Sequence, residues 1–303
     1  MGIREQQKAF KEAKKAAKEF KGKPGIKDVQ FGYKYTNGVR QPELCLRINV
    51  DEKKPKKDLK KREIIPAKIS SFYTDVIVHK VSPQNVNVSP SDIIRPVLGG
   101  LQIQSNLFGN NENWGTLGCI INLNGKVLGL TNYHVVFGNL DEIRAALYVG
   151  NLTMLQPQRT FYGEVIGSVG DIFNKELDYS TIPLTAQYNI HQTINMINGI
   201  INTNGYKIPE IGIRVFKIGA STGKTYGIID GRSCFECANL IIAQDINMPS
   251  VLISNYGDSG AVWICEDNGD KKIIALHCGG IVAENIAYAK AYSSVYNSII
   301  KKI

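Results

Sequence analysis

Apolar and polar positions divide the chain into a short mixed preface and a long β-rich remainder. Over residues 3–20, Phe10, Ala13, Ala17 and Phe20 recur at three- and four-residue spacing, with no Gly or Pro until Gly22, which predicts a helix carrying one thin apolar stripe. Lys8, Lys11, Lys14, Lys15 and Lys18 cover much of its remaining surface, so the stripe suits docking on another surface better than nucleating a core. Gly22 and Pro24-Gly25 end the helix. Strands are predicted at 26–36 and 43–51, joined around Asn37-Gly38, a strong hairpin signal. A short basic helix at 55–63 and a strand at 73–79, with His79 an ordinary strand residue, complete a small α/β unit over residues 1–80. Residues 81–96, with Pro83, Pro90 and Pro96 among Ser and Asn, read as a linker.

From residue 97 the texture changes to short apolar runs separated by Gly, Asn and Asp turns. They fall at 117–123, 127–130, 143–149, 164–169, 178–184, 213–218, 226–229, 240–243, 251–254, 261–265 and 273–277. Runs of this length with no helical period between them predict a mostly β domain, a barrel or a sandwich. The last stretch, 291–300, fits a short helix or one more strand, and no internal repeat is present.

Composition changes this picture little. The 303 residues are 43% hydrophobic and 21% charged, ordinary for a chain that buries a core. No apolar run reaches the roughly 18 residues of a membrane span. The opening MGIREQQKAF has no hydrophobic signal region, and Gln6 stands where a myristoylation motif has Ser or Thr, so a cytoplasmic protein is expected. Six cysteines are too few for a disulfide framework, and Cys234-Phe-Glu-Cys237 is a lone pair without a second at zinc spacing.

Charge is uneven. Residues 1–68 hold 20 Lys and Arg against 9 Asp and Glu, a net +11 against +9 for the whole chain. Such a face attracts acidic partners, and a solvated lysine-rich helix is the plain alternative. No nucleic-acid module is recognisable, so nucleic acid is disfavoured and a protein partner docking on residues 1–80 is the expectation, with no role for a membrane.

Three segments carry candidate chemistry. In Asn255-Tyr256-Gly257-Asp258-Ser259-Gly260-Ala261-Val262-Trp263 a serine lies between glycines, whose conformational freedom lets amides converge on one point. Alone, this equally fits a surface turn. Leu130-Thr131-Asn132-Tyr133-His134-Val135-Val136 puts a histidine at the end of a β run, where a structural histidine is the alternative. Asp178 opens the alternating strand Asp178-Tyr179-Ser180-Thr181-Ile182-Pro183-Leu184, and Asp171 competes with it.

Taken together, the order His134, Asp178, Ser259 is that of the chymotrypsin-type triad and not of subtilisins or α/β-hydrolases. Over about residues 97–297 the chain resembles the chymotrypsin-like serine proteases, with G-D-S-G-A in place of the family's G-D-S-G-G. It lacks the Ala-Ala-His-Cys run and its disulfide partner, which points to the intracellular, disulfide-free bacterial or viral-type branch. The resemblance implies two six-stranded β-barrels, at about 97–190 and 205–303, with the α/β unit as an extension. It implies a serine endopeptidase needing no metal or cofactor, with His134 as base, Asp178 orienting it, Ser259 as nucleophile, and the N–H groups of Gly257 and Ser259 as oxyanion hole. By the same resemblance Ile253 stands at the floor of the P1 pocket, where the absence of Asp argues against Lys or Arg. Leu276-His277-Cys278-Gly279-Gly280 is similar to the H-x-G-G strand of glutamyl endopeptidases and certain viral proteases. His277 would then select Glu or Gln, with a core histidine as the rival reading, while Gly279 and Gly280 lie along the substrate. His191, in a polar connection, reads as a surface residue.

The implied substrate is an extended peptide within a protein, cut by a selective regulatory protease. If the basic unit recruits the target, deleting residues 1–80 spares short-peptide cleavage and abolishes cutting of the natural target. The alternative is a catalytically silent barrel retained as a scaffold that binds a protein or nucleic acid through its basic N-terminal unit.

Overall fold

A computed structural model describes residues 3–36, 39–55, 58–60, 63–78, 93–108, 113–157, 163–195, 199–236, 238–245, 247 and 252–303. The Asn37-Gly38 turn, His79, most of the expected linker and Cys237 lie outside these residues. The preface forms helix α1 (Ile3–Ala17), whose last turn tightens through Phe20, and strands β1 (Ile26–Thr36), β2 (Val39–Val50), β3 (Lys68–Ile69) and β4 (Phe72–Ile77). The first half of the remainder contains β5 (Val97–Gly99), β6 (Gln102–Ser105), β7 (Trp114–Thr116), β8 (Cys119–Leu123), β9 (Lys126–Thr131), the short helices α2 (Tyr133–Phe137) and α3 (Glu142–Ala146), then β10 (Thr153–Gln156), β11 (Glu164–Ser168), β12 (Phe173–Asn174), β13 (Tyr179–Pro183), β14 (Tyr188–Asn195) and β15 (Gly199–Asn202). The second half contains β16 (Arg214–Gly219), β17 (Gly223–Ser233), β18 (Asn239–Gln244), β19 (Val262–Asp267), β20 (Asp270–Ile281), β21 (Ile286–Ala291) and the closing helix α4 (Tyr292–Ile300).

The mostly β class expected from the sequence is observed. In the second half β16, β19, β20, β21, β18 and β17 pair in that order and β17 returns to β16, closing a six-stranded antiparallel barrel. Closure leaves no free edge in the ring, and inward side chains such as Val215, Ile229, Leu240, Ile242, Trp263 and Ile274 fill it. The first half is three sheets, the four-stranded β11-β10-β6-β7 and β12-β13-β9-β8, joined by the Gly167–Leu184 bridge, and the three-stranded β15-β14-β5, around a core that includes Ile103, Leu117, Val136, Phe137 and Ile166. Between the halves, Leu128, Leu130 and Tyr179 from one side meet Phe216, Val262 and Leu276 from the other, and Tyr292, Val295 and Ile299 of α4 complete that layer.

The preface is joined to the barrel by more than a linker. Strand β1 adds to the outer edge of β17 with Gln30 opposite Ser233 and Gly32 opposite Gly231, so β1, β2, β4 and β3 continue the barrel's sheet. The Arg47 side chain crosses this seam over Gly32 and Gly231 to the Asp230 carboxylate at 2.6 Å, both side chains 2% exposed. A Cβ on Gly231 would stand 2.0 Å from the guanidinium, so a larger residue there would displace Arg47 from its place over the seam. The helix stripe that read as a docking face lies on the chain's own sheet: Ala13, Ala17 and Phe20 pack with Val29, Phe31, Leu46 and Ile48.

Three local expectations are corrected. Residues 143–149 are not a strand: Asp141 caps a helix there, its carboxylate accepting the Arg144 N–H at 2.9 Å, and this local bond decides against the apolar pattern. Residues 252–254 form an irregular segment, held where Asn285 accepts the Ile253 N–H at 2.7 Å and Thr225 donates to the Ile253 carbonyl at 2.8 Å. Among the described residues of 55–63 no α-helix forms: Asp58 ends a 3-10 turn closed by its N–H on the Pro55 carbonyl, and a second turn runs from the Glu63 N–H to the Lys60 carbonyl.

Candidate active site

His134 is the second residue of α2, which follows β9 after Asn132, and Asp178 directly precedes β13, which pairs with β9. Neighbouring strands therefore deliver both side chains to one end of the sheet. The Asp178 carboxylate receives His134 Nδ1–H at 2.8 and 3.0 Å and the His134 backbone N–H at 3.1 Å. Asp178 itself has φ 48°, a left-handed turn geometry in which Asn132 Nδ2 holds its carbonyl at 2.7 Å. Asn113 Nδ2 donates to the His134 carbonyl at 2.6 Å. Burial pulls the imidazole's pKa down, but the charge and hydrogen bond of Asp178 outweigh it and leave His134 above its ordinary value. Asp171, the rival acid, is exposed.

The Ser259 turn is built around Asp258, which is fully buried. Its carboxylate accepts Lys217 Nζ at 2.7 Å, Thr222 Oγ1–H at 2.6 Å, and the N–H groups of Ser221, Thr222 and Asn255 at 3.1, 3.0 and 3.0 Å. Burial alone would raise the Asp258 pKa; Lys217 and the surrounding donors reverse this and hold it below its usual value. Lys217, also fully buried, is lowered by desolvation despite its partner. Within the turn, the Asn255, Tyr256, Asp258, Gly260 and Ala261 amides donate to Asp258 Oδ2, Asn255 Oδ1, the Asn255 carbonyl, the His277 carbonyl and the Asp258 carbonyl. The Gly257 and Ser259 amides alone carry no hydrogen bond to another described residue. Gly257 has φ 90°, and a Cβ on it would lie 2.0 Å from the Trp114 ring, so conformation and space both require glycine.

The two sides meet at Gly115, where a Cβ would stand 2.5 Å from the Val135 side chain and 2.7 Å from the Ser259 carbonyl. Thus the residue after His134 and the serine itself flank one glycine. Ser259 is partly exposed, and neither its Oγ nor His134 Nε2 is hydrogen-bonded to another described residue.

Solved structures similar to this chain are serine proteases. Thermobifida fusca protease A is 14% identical with a TM-score of 0.43, the alignment covering 66% of this chain and 94% of that one. A Nocardiopsis protease is 16% identical with a TM-score of 0.45, covering 67% and 95%. A glutamic-acid-specific serine protease described as using a histidine triad in substrate binding is 14% identical with a TM-score of 0.45, covering 67% and 97%. No protein-family model and no curated protein sequence matches the chain.

The expected pocket residues fare unequally. Gly279 faces open space, and Gly280 beside it is buried in the pairing with Ala287. Ile253 and His277 are both 0% exposed: Ile253 belongs to the barrel core, and His277 lies edge-on to Trp263 at 5.9 Å. Both His277 ring nitrogens are buried without a hydrogen-bond partner. Burial, the nearby Lys217 charge and that of His134 outweigh Asp258 and take its pKa down to about 3, so the ring is neutral at ordinary pH. Sequence reasoning missed Lys217, Thr222, Asn113 and Thr116. Only Lys217 left a signal, a lone charge inside the apolar strand Val215-Phe216-Lys217-Ile218.

Proposed function

We propose that the chain is a serine endopeptidase in which Ser259 attacks the peptide carbonyl while His134 Nε2 takes its proton. Asp178 fixes the imidazole tautomer through Nδ1 and stabilises the imidazolium that forms. The oxyanion is received by the N–H groups of Gly257 and Ser259, each such donor contributing about 3–4 kcal/mol in well-studied cases. His134 then protonates the leaving amine, and water, activated by the same base, releases the acyl group. The observation that carries this reading is the turn's pattern of bonded amides: every backbone N–H from 255 to 261 is spent within the molecule except the two the reaction needs.

The peptide would lie along β20. One edge of residues 279–281 pairs with β21, while the ladder to β19 ends at Leu276, leaving the other edge for an added strand. Ile253 offers no carboxylate to a basic side chain, and the unpaired His277 ring favours an oxygen-bearing side chain such as Gln or Glu once the pocket wall parts.

Fluorophosphonate labelling of the parent and of Ser259→Ala tests the chemistry. Label on the parent at Ser259 and none on the variant is expected. No label on the parent would favour the silent scaffold. Peptide-library profiling then checks the side chain before the cut, and cleavage after Lys or Arg would discard the assigned pocket.

A further inference from the structure

Thr116, the last residue of β7, is fully buried and bonds in four directions. Its N–H donates to the Ser259 carbonyl at 2.7 Å, and its Oγ1–H donates to the Gly257 carbonyl at 2.7 Å. The same oxygen accepts the Ala220 N–H at 3.0 Å, from the turn whose next two amides, Ser221 and Thr222, hold Asp258. Its carbonyl accepts Thr131 Oγ1–H at 2.8 Å, three residues before His134. One residue thus ties both carbonyls flanking Asp258 to the Lys217–Asp258 side and to the strand that delivers the base.

We infer that Thr116 is a positioning residue that holds the Gly257–Ser259 turn in its oxyanion-binding shape. Gly257 shows why an anchor is needed. A glycine at φ 90° has soft backbone torsions, so the shape of the turn there depends on the hydrogen bonds that reach it. The Asp258 carbonyl is fixed by the Ala261 N–H at 3.0 Å, and in a trans peptide this sends the Ser259 N–H the opposite way. The Gly257–Asp258 peptide is held at its N–H by the Asn255 carbonyl at 3.1 Å, and the Thr116 hydroxyl holds its oxygen at 2.7 Å from the other half of the molecule. Displacing the turn by about 1 Å is enough to lose on the order of 100-fold in rate.

This inference rests on the protease reading, and the experiment separates the two. The maximal rate and half-saturation of fluorophosphonate labelling are measured on full-length parent, Thr116→Val and Thr116→Ser, alongside their melting midpoints. Valine keeps the shape and loses the hydroxyl; serine keeps the hydroxyl. Expected is a roughly 10- to 100-fold lower maximal rate for Thr116→Val at unchanged half-saturation, with Thr116→Ser within about threefold of the parent. A folded Thr116→Val that labels like the parent overturns the role, as does one whose melting midpoint alone falls. If Thr116→Val does not fold, Thr116→Cys, close in size with a feeble donor, takes its place under the same criteria. A parent that does not label removes the protease reading and this inference with it.

Discussion

Lys217 is a charged residue at zero exposure in a strand of Val, Phe and Ile, and Asp258 is what makes that tolerable. Lys217→Met leaves a buried carboxylate unpaired and is expected to destabilise the fold by about 3–5 kcal/mol, read from denaturant midpoints. His134 and His277 have opposite pH signatures. The folded pKa of His134 is raised, so its pairing with Asp178 stabilises fully below the ordinary histidine value and is lost as pH rises through the folded one. Because the base must be neutral, the rate of Ser259 labelling should rise with pH through a midpoint above 6.5. Asp178→Asn should lower that midpoint and slow the reaction by about 10⁴-fold, the loss seen when a well-studied triad loses its acid. His277 is held neutral down to about 3, so only the unfolded chain takes up its proton in the intervening range. Stability should therefore fall by about 1.4 kcal/mol per pH unit below 6.5 from this group, and His277→Met should flatten that slope in urea melts from pH 7 to pH 4. The order of His134, Asp178 and Ser259 was legible because each stands at the end of a recognisable apolar run. Lys217 as the partner of Asp258, and Thr116, were not, because both act through contacts more than 40 residues distant that no local pattern encodes.

At the level of elements, the strands of the second half were readable as short apolar runs between turns because long stretches of β16, β17, β19 and β20 are buried on both faces. Residues 143–149 misled for the same reason in reverse. Ile143 and Leu147 look like core positions but are 83% and 76% exposed, and the capping Asp141 outweighs them. Exchanging that cap, Asp141→Ala, should cost about 1 kcal/mol, visible as a small loss in melting midpoint. The stripe of α1, expected to dock on another surface rather than to build a core, is instead part of the core of its own unit. The β1–β17 seam also changes the expectation for deletion. Removing residues 1–78 strips Arg47 from the buried Asp230 and uncovers the edge of β17, so stability and short-peptide cleavage should fall together. Loss of cleavage for large targets only would show that the barrel tolerates the bare edge. Arg47→Met in the intact chain isolates the ion pair from the strand addition.

Across the whole molecule, the site lies on a seam between two separately packed halves, and the layer under it is closed by α4. Tyr179, next to Asp178, shares a hydrogen bond with Ser298 at 2.8 Å, linking the acid's strand to the chain's final helix. Tyr179→Phe removes that bond alone and should cost about 1 kcal/mol in denaturant melts while leaving the turn at Ser259 intact. The division of charge is also a property of the whole: the excess cations sit in residues 1–68, some on α1 and more of them in the segments that follow it. The buried Lys217–Asp258 pair has a practical corollary. The cation facing Asp258 comes from the middle of a barrel strand, so no chain end has to be freed and tucked inside to set the turn. A fusion partner or affinity tag ahead of Met1 should therefore leave this turn's supports untouched.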